Sequence, residues 1–225
     1  MEKNIDYKEL YKIQDSVLDV VFSFENDFYL TGGTALHRFY YGARYSDDLD
    51  FFANNTEYFG EDIKEVVELI TDSGFDVKKR VSSRDFYRFV VEGVLQIDFV
   101  NDRVYRHEKS VIINNKRIDN KINILTNKIG AIIDRDEEKD IFDLFCFSCN
   151  EEFNWGEILE IANKKSVIEK DILIYRLKTF PIEWLKRVKI IKNVNISKPT
   201  IEALCDDILY NRDNSFKKSL KLICQ

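Results

Sequence analysis

The stretch from residue 28 to residue 52, FYLTGGTALHRFYYGARYSDDLDFF, limits the possible folds of this 225-residue chain more than any other part of it. The short apolar segment Phe28–Leu30 predicts a strand, and Gly32–Thr34 predict a sharp turn after it. Ala35–Tyr41 then reads as a helix, and a second strand follows with two aspartates. The stretch therefore predicts a strand–turn–helix–strand unit with an acidic strand at its end.

The acidic strand suggests a metal site. Asp48 and Asp50 are two residues apart, so in a strand they share one face, while Leu49 and Phe51 point to the core. Adjacent carboxylates repel each other, and a divalent cation with hard oxygen ligands, Mg²⁺ or Mn²⁺, offsets that repulsion. Asp98, in the strand-like segment LQIDFV, is placed in the same way. If the two strands are neighbours, the three carboxylates form a two-metal site for phosphoryl-type transfer.

The Gly-Gly turn suggests a phosphate site. Gly32 and Gly33 carry no side chain, so the backbone can approach a phosphate closely at the start of a helix. The hydroxyl of Thr34 can donate to a phosphate or cap the helix that follows. The two ends of this stretch therefore suit a nucleoside triphosphate and its metal ion.

The residues between the helix and the acidic strand have open assignments. Arg44 can contact a bound nucleotide or pair with Asp47. Ser46 can bind a phosphate or cap the strand. The pattern alone does not decide between these uses.

A second group of charged residues lies on two predicted helices. Lys128 and Arg135 share a face of the first helix and can bind the β- and γ-phosphates, with Lys128 half-exposed. Asp140 and Asp143 share a face of the next helix, where Lys139 can pair with Asp143 at i+4. Surface salt bridging, worth little in stability, is the alternative interpretation of these charges.

Strands early in the chain and helices late predict an α+β fold, a mixed sheet flanked by helices followed by a helical C-terminal domain. The boundary is expected near residue 110, dividing residues 1–110 from 111–225. Further predicted strands and a hairpin lie at Phe75–Val81, Phe86–Glu92, Val94–Val100 and Val111–Ile118. Predicted helices lie at Tyr7–Phe24, Glu61–Thr71, Ile122–Arg135, Lys139–Ser148, Trp155–Asn163, Val167–Thr179 and Ile201–Tyr210.

Composition excludes some classes of protein. No apolar run approaches the roughly 18 residues of a membrane span, and the charged N-terminus lacks a signal-peptide core. Cys146 and Cys149 have zinc-knuckle spacing, but no second such pair exists, so buried thiols are the preferred interpretation. These features predict a cytoplasmic protein with reduced cysteines and no membrane contact.

Charge is unevenly distributed along the chain. The net charge is −6, yet residues 164–198 hold ten Lys and Arg against three Asp and Glu. Such a segment could contact RNA phosphates, or its charges could be balanced by acidic neighbours in the fold. Trp155 and Trp184 are expected in the core and not as base-stacking platforms.

Together these motifs resemble the polymerase β-like nucleotidyltransferase superfamily, and most closely the AbiEii/AbiGii toxin family with the related MenT toxins. The resemblance covers roughly residues 25–150. Its elements are a Gly-Gly-Ser/Thr turn, an Arg-x-Ser-x-Asp-x-Asp strand, a third acidic strand, and a later Lys with downstream acidic residues. In this chain they are Gly32, Gly33, Thr34, Arg44, Ser46, Asp48, Asp50, Asp98, Lys128, Arg135 and Asp143.

The resemblance implies a nucleotidyltransferase that releases pyrophosphate, acts as a toxin and has a separately encoded antitoxin. It implies catalytic roles for Asp48, Asp50, Asp98, Lys128 and Asp143. It also implies an NTP substrate and an RNA acceptor, the 3′ end of tRNA. Transfer to a small molecule or to a protein, and nucleotide binding without turnover, are the alternatives.

Overall fold

The chain divides into two units, which are described separately. The computed structural model describes residues 5–219, with the backbone alone at residues 218 and 219. The first unit contains residues 5–39, 46–104 and 109–120, and the second contains residues 40–45, 105–108 and 121–219. Cys224 lies outside the described residues.

The first unit is built on a seven-stranded mixed sheet in the order β3-β4-β5-β2-β1-β7-β6. Its strands are β1 (Tyr29–Thr31), β2 (Asp48–Asn54), β3 (Val77–Ser82), β4 (Phe86–Val91), β5 (Leu95–Asp102), β6 (Val111–Ile113) and β7 (Lys116–Ile118). Strand β2 runs parallel to β5 and antiparallel to β1, so it lies near the middle of the sheet. Strand β7 runs parallel to β1 and extends the sheet on the other side.

Alternating burial along β2 fixes which face of the sheet packs on the core. Leu49, Phe51 and Ala53 are completely buried, whereas the residues between them are partly exposed. The Phe51 ring stacks on Phe99 of β5 with the centroids 5.1 Å apart, and Phe28 lies 4.9 Å from Phe99. The odd positions of β2 thus form the core, which leaves the two aspartates on the opposite face.

Three helical segments accompany the sheet. Helix α1 (Tyr7–Val21) is capped at its N-terminus by Asp6, whose carboxylate accepts hydrogen bonds from two backbone N–H groups of the first turn. Helix α2 (Gly32–Ala35) follows β1 directly and continues as a π-helix at Leu36–Tyr41. Helix α3 (Phe59–Asp72) connects β2 to β3 and buries Phe59, Ile63, Val66 and Ile70.

The second unit is mainly helical. Its helices are α4 (Lys121–Asp134), α5 (Glu138–Asn150), α6 (Trp155–Asn163), α7 (Lys170–Thr179), a 3₁₀ helix (Ile182–Arg187), α8 (Lys198–Leu209) and α9 (Phe216–Ser219). The core of this unit includes Trp155, Phe142 and Phe145, all fully buried. Trp155 is therefore a core residue, as predicted, whereas Trp184 is partly exposed, so the prediction of a core position is wrong for Trp184.

The predicted α+β class is confirmed, with a mixed seven-stranded sheet and helices. The predicted turn between β4 and β5 is present, with Gly93 at φ +68°, and the hairpin at residues 111–118 turns at Asn114 and Asn115. This hairpin adds to the sheet of the first unit through the β1–β7 pairing. A division into independent domains near residue 110 stays a prediction.

Candidate active site

The three predicted carboxylates come together on the sheet. Strands β2 and β5 are parallel neighbours, and their register pairs Asp50 with Asp98 and Asp48 with Gln96. Paired residues of neighbouring strands point to the same face, so Asp48, Asp50 and Asp98 share the face opposite the phenylalanine core. These three residues are called the acidic cluster below.

The Gly-Gly turn contacts the acidic cluster directly. Gly32 has φ +69°, a conformation that favours glycine, and a Cβ atom at this position would clash with Oδ2 of Asp50. Glycine is therefore favoured at position 32 both by the backbone conformation and by the carboxylate packed against it. The register of β1 with β2, which pairs Thr31 with Asp50, produces this approach.

Thr34 does not cap helix α2. Its hydroxyl bonds the protein backbone, and the predicted contact of this hydroxyl with a phosphate stays a prediction. Its hydroxyl is fully buried and donates to the backbone carbonyl of Asp48 at 2.5 Å. The residue at the helix-cap position is Thr31, whose own hydroxyl donates to Oδ2 of the buried Asp119 at 2.8 Å. Thr34 thus ties the Gly-Gly turn to the first residue of β2.

An arginine that the sequence analysis did not identify completes this part of the site. Arg88 on β4 pairs with Asp98 in the antiparallel β4–β5 register. Its Nε donates to Oδ1 of Asp98 at 2.7 Å and its Nη2 donates to Oδ2 at 2.6 Å. Gln96 also donates to Oδ2 of Asp98, at 3.3 Å. Both oxygens of the third carboxylate are thus bonded to a guanidinium.

The charge on the sheet is unbalanced. The pKa of Arg88 is raised, first because it is hydrogen-bonded to Asp98 and further because of the negative charges of Asp98, Asp50 and Asp48. One guanidinium is bonded to the third of three carboxylates on this face. Among the described residues, the carboxylate of Asp48 accepts no hydrogen bond. Excess negative charge on a partly exposed face is typical of a cation site.

The donor chemistry fits a divalent cation, although no complete metal site is present within residues 5–219. No group of three or more His, Cys, Asp or Glu side chains there is arranged to hold a metal ion. Asp48 and Asp50 supply the hard oxygen donors that Mg²⁺ and Mn²⁺ prefer. Asp98 lies beside them, with both oxygens engaged by Arg88.

The second predicted group of residues forms an ion network in the second unit. Lys128 on α4 contacts Oδ1 of Asp140 at 2.7 Å and Oδ2 of Asp143 at 2.8 Å, both on α5. The Lys128 side chain is only 12% exposed, so the prediction of a half-exposed lysine is wrong. Burial alone would lower the pKa of Lys128, but the negative charges of Asp143 and Asp140 outweigh that effect and raise it.

Arg44 belongs to the same network. Its Nε and Nη2 donate to the two carboxylate oxygens of Asp143 at 2.7 and 2.8 Å, and both side chains are buried. Asp143 is thus the bidentate partner of Arg44 and also bonds Lys128. The backbone around Arg44 is fixed by an antiparallel bridge to Ile190.

Arg135 is the most exposed member of the network. Its Nε donates to Oδ2 of Asp140 at 2.9 Å, and its side chain is 59% exposed. Burial tends to raise the pKa of Asp140, but Lys128 and Arg135 together lower it. Arg44, Lys128, Arg135, Asp140 and Asp143, called the ion network below, hold three positive and two negative charges, and each carboxylate has two cationic partners.

Ser46 stands just before the acidic strand and is buried. Its carbonyl accepts a hydrogen bond from the buried Gln14 of α1 at 3.0 Å, and its N–H donates to the Tyr11 hydroxyl at 3.1 Å. Two hydrogen bonds with helix α1 thus fix the backbone just before strand β2. A phosphate contact of the Ser46 side chain stays a prediction.

Within residues 5–219, no group of three or more His, Cys, Asp or Glu side chains that includes the cysteines is arranged to hold a metal ion. Cys146 and Cys205 are buried, and burial raises the pKa of both thiols, that of Cys205 to about 11. Thiols with raised pKa values stay protonated and are poor metal ligands. Within residues 5–219, no helix has the length and apolar character needed to cross a membrane.

The chain is similar in sequence to a family of nucleotidyl transferases and to a protein of Aquifex aeolicus. Residues 18–216 match the family model described as nucleotidyl transferase AbiEii toxin, Type IV TA system. The uncharacterised protein aq_aa25 of Aquifex aeolicus (strain VF5) is 28% identical over 185 residues, which are 75% of this chain and 84% of that protein.

Two solved structures share the fold. JHP933 from Helicobacter pylori superposes with a TM-score of 0.61 at 17% identity, over 97% of this chain and 98% of that one. MenT4, the nucleotidyltransferase toxin Rv2826c from Mycobacterium tuberculosis H37Rv, superposes with a TM-score of 0.58 at 15% identity, over 95% of this chain and 84% of that one.

Proposed function

Because this chain belongs to the AbiEii nucleotidyltransferase toxin family and is a nucleotidyltransferase, we propose that it transfers a nucleotide from an NTP to the 3′ end of an RNA. The proposed acceptor class is tRNA, and the reaction depends on Mg²⁺ or Mn²⁺. As a toxin of a type IV system, the protein would have a separately encoded antitoxin.

One observation carries the proposal. Asp50 lies between the Gly32 backbone on one side and Asp98 on the other, and Asp48 shares its face of β2. A carboxylate pair beside a backbone without a side chain provides both a cation site and an approach for phosphate within one surface. Three carboxylates on one face of the sheet support cation binding there.

The proposed chemistry is a single displacement. The 3′ hydroxyl of the acceptor forms a bond to the α-phosphorus, the bond to the β-phosphate oxygen breaks, and pyrophosphate leaves with the hydroxyl proton released. Asp48 and Asp50, with Asp98, would hold the divalent ion, which supplies charge neutralisation at the phosphates. The Gly32–Gly33 backbone would lie along the triphosphate, and no covalent enzyme intermediate is required.

The ion network has a different part in the proposal. Lys128 and Asp143 bind each other and their neighbours so completely that their contacts favour a role in fixing α4 against α5. Arg135 is the member with enough exposed surface to contact a nucleotide as well. Arg135 is therefore the member of this group that we propose first as a phosphate contact, and a phosphate contact of Lys128 stays a prediction.

The RNA acceptor is supported by the basic segment of residues 164–198. Lys186, Arg187 and Lys189 are exposed side chains at and just after the 3₁₀ helix. The Arg187 guanidinium lies 4.6 Å from the centroid of the Trp184 ring, which is partly exposed. Exposed cations beside an aromatic ring are a common way to contact a nucleic-acid strand.

The test of the proposal is a transfer assay. The full chain is incubated with each α-labelled NTP, Mg²⁺ and total RNA, and the products are separated on a denaturing gel. Label in the tRNA band that disappears with RNase, and that Asp48→Asn abolishes, is the expected result. Label on a polypeptide that resists RNase would instead indicate a protein acceptor, and labelled small molecules would indicate the third class of acceptor.

A charge-reversal variant tests the acceptor surface. Changing Lys186, Arg187 and Lys189 to Glu should weaken RNA binding and lower its salt slope by roughly one unit per lost contact. The matched control reverses Lys78, Lys79 and Arg80, three exposed cations on β3 of the first unit. Equal losses in both variants would show a nonspecific charge effect and would rule out the basic segment as the RNA surface.

A further inference from the structure

We propose that Arg88 is a positioning residue for the acidic cluster, which neutralises and orients Asp98 when no divalent ion is bound. By competing with the ion for Asp98, Arg88 sets the affinity of the cluster for that ion. The inference deepens the proposed function and rests on it, because it concerns the same carboxylates. It assigns a part in metal binding to a residue on a strand that carries none of the family-like motif residues.

Arg88 forms a bidentate ion pair with Asp98. The guanidinium presents Nε and Nη2 in a fork to the two oxygens of Asp98, at 2.7 and 2.6 Å. Arginine is the side chain suited to this bidentate contact, and it keeps its charge at any pH the protein meets. Asp98 is thereby held in one orientation with both oxygens occupied.

Arg88 also lies where its positive charge offsets the negative charge of the acidic cluster. It lies opposite Asp98 in the β4–β5 register, and Asp98 lies opposite Asp50 in the β5–β2 register. The three side chains thus form one row across three neighbouring strands, on one face of the sheet. Without Arg88, three carboxylates would repel each other on this face with no described cation bonded to Asp98.

A divalent ion and Arg88 therefore compete for the same negative charge. Removing Arg88 takes one positive charge away from the acidic cluster, so the cluster becomes more negative by one charge. Removing the guanidinium also frees both oxygens of Asp98 to bind the ion. The Arg88 side chain is 38% exposed, so it has room to move when Asp98 changes partner.

Metal binding measured without nucleotide tests this inference. Bound and free Mn²⁺ are separated by electron paramagnetic resonance in the full-length wild-type chain and in Arg88→Gln. Arg88→Gln should bind Mn²⁺ roughly tenfold more tightly, because the site gains one negative charge and one free carboxylate. In EDTA, the same variant should melt at a lower temperature than the wild type, and Mn²⁺ should raise its melting temperature by a larger amount.

Three further variants show whether the effect follows charge and passes through Asp98. Arg88→Lys keeps the charge and should bind Mn²⁺ within about twofold of the wild type. Arg103→Gln breaks another arginine–carboxylate pair of the same unit, between Arg103 just after β5 and Asp85 just before β4, and should leave Mn²⁺ binding unchanged. The Arg88→Gln gain should disappear in an Asp98→Asn background.

Several outcomes would overturn the inference. Arg88→Gln that binds Mn²⁺ as the wild type does, or more weakly, would remove Arg88 as a competing cation. A gain that persists in the Asp98→Asn background would remove Asp98 as the route. Absence of Mn²⁺ binding in both the wild type and Arg88→Gln would overturn the inference together with the metal site of the proposed function. If Asp48→Asn abolishes both binding and transfer, the proposed function stands whatever Arg88 does.

Discussion

The acidic cluster and the ion network contain similar side chains arranged to opposite effect. In the first unit, three carboxylates face one arginine on a partly exposed surface. In the second unit, two carboxylates are shared among three cations, and each carboxylate is at most 1% exposed. In the cluster only Asp98 is bonded to the arginine, whereas in the network each carboxylate has two cationic partners. The sequence shows both groups simply as Asp residues near Arg or Lys.

The comparison teaches how to separate reactive from structural charge in this chain. A buried carboxylate with two cationic partners has no capacity left for a ligand, and removal of one partner leaves a buried charge uncompensated. A partly exposed carboxylate in excess over its counter-charge can still gain a cation. Substitutions in the cluster should therefore affect activity, and substitutions of the buried residues of the network, Arg44, Lys128, Asp140 and Asp143, should affect stability.

The largest expected effect is the loss of activity in the acidic cluster. Asp48→Asn and Asp50→Asn each remove a charge that the bound cation needs, so transfer should fall by on the order of 10³-fold, about 4 kcal/mol in transition-state stabilisation. Melting in EDTA should be unchanged or slightly higher, because repulsion within the cluster is reduced. The measurements are the labelled-NTP assay and a thermal melt without metal.

A control for these variants is Asp85→Asn, which removes a carboxylate from the same unit outside the cluster. It should keep full transfer activity. Wild-type activity in both Asp48→Asn and Asp50→Asn would end the distinction between the two groups of charges, because the cluster would then be no more reactive than any surface pair.

The second effect is loss of stability in the ion network. Lys128→Ala leaves Asp140 and Asp143 buried with one partner fewer each, so the free energy of unfolding should fall by about 3–5 kcal/mol. The sequence-based expectation that this variant keeps its stability assumed a half-exposed side chain, which the structure contradicts. Urea denaturation of the full chain at neutral pH is the measurement.

The matched control is Lys12→Ala, which removes an exposed lysine from an ion pair with Glu9. Its free energy of unfolding should change by less than about 1 kcal/mol. If Lys128→Ala unfolds at the wild-type urea concentration but loses nucleotide binding, Lys128 is a phosphate ligand and the comparison drawn above is wrong for this residue.

The sequence predicted strands and turns well where the residues that define them are only a few positions apart. The carboxylates of β2, the Gly-Gly turn and the β4–β5 turn at Gly93 depend on residues a few positions apart. Arg88 could also have been found from the sequence. A hairpin that turns around Gly93 places residues equally distant from it opposite each other, and Arg88 and Asp98 are such a pair.

The partner of Arg44 could not be found in this way. Arg44 and Asp143 are 99 positions apart, and no spacing rule connects them. Nor does sequence show burial, which turned Lys128 and Asp140 from expected surface residues into members of a buried network. Long-range pairing and burial are set by the packing of whole elements, so single-sequence patterns leave both undetermined.

A third prediction sharpens the comparison with the same substitution at two sites. Arg44→Lys keeps the charge but loses the fork that matches Asp143, in a fully buried pair, and should lower the free energy of unfolding by about 2 kcal/mol. Arg88→Lys loses the same fork with Asp98 at a partly exposed position and should lower it by less than about 1 kcal/mol. Urea denaturation of both variants in EDTA makes the comparison, and equal losses would contradict it.

The smallest effect is expected at Arg135, where the ion network reaches solvent. Arg135→Gln removes one partner of Asp140 at a side chain that is 59% exposed, so the free energy of unfolding at pH 7 should fall by less than about 1 kcal/mol. Asp140 has a lowered pKa in the folded chain. Its ion pairs therefore contribute stability above its unfolded pKa of 3.8, and that contribution is lost as the pH falls through the lower folded value.

The difference between the wild type and Arg135→Gln should accordingly be present at pH 7 and shrink below pH 3.8, once Asp140 is protonated in both chains. Urea midpoints measured from pH 7 down to the acid limb of the stability curve test this. A difference that stays constant into that limb would show that Arg135 stabilises the chain through contacts other than Asp140. Nucleotide affinity of the same variant separates its two roles, because an Arg135 that also binds phosphate should lose roughly tenfold in affinity while stability changes little.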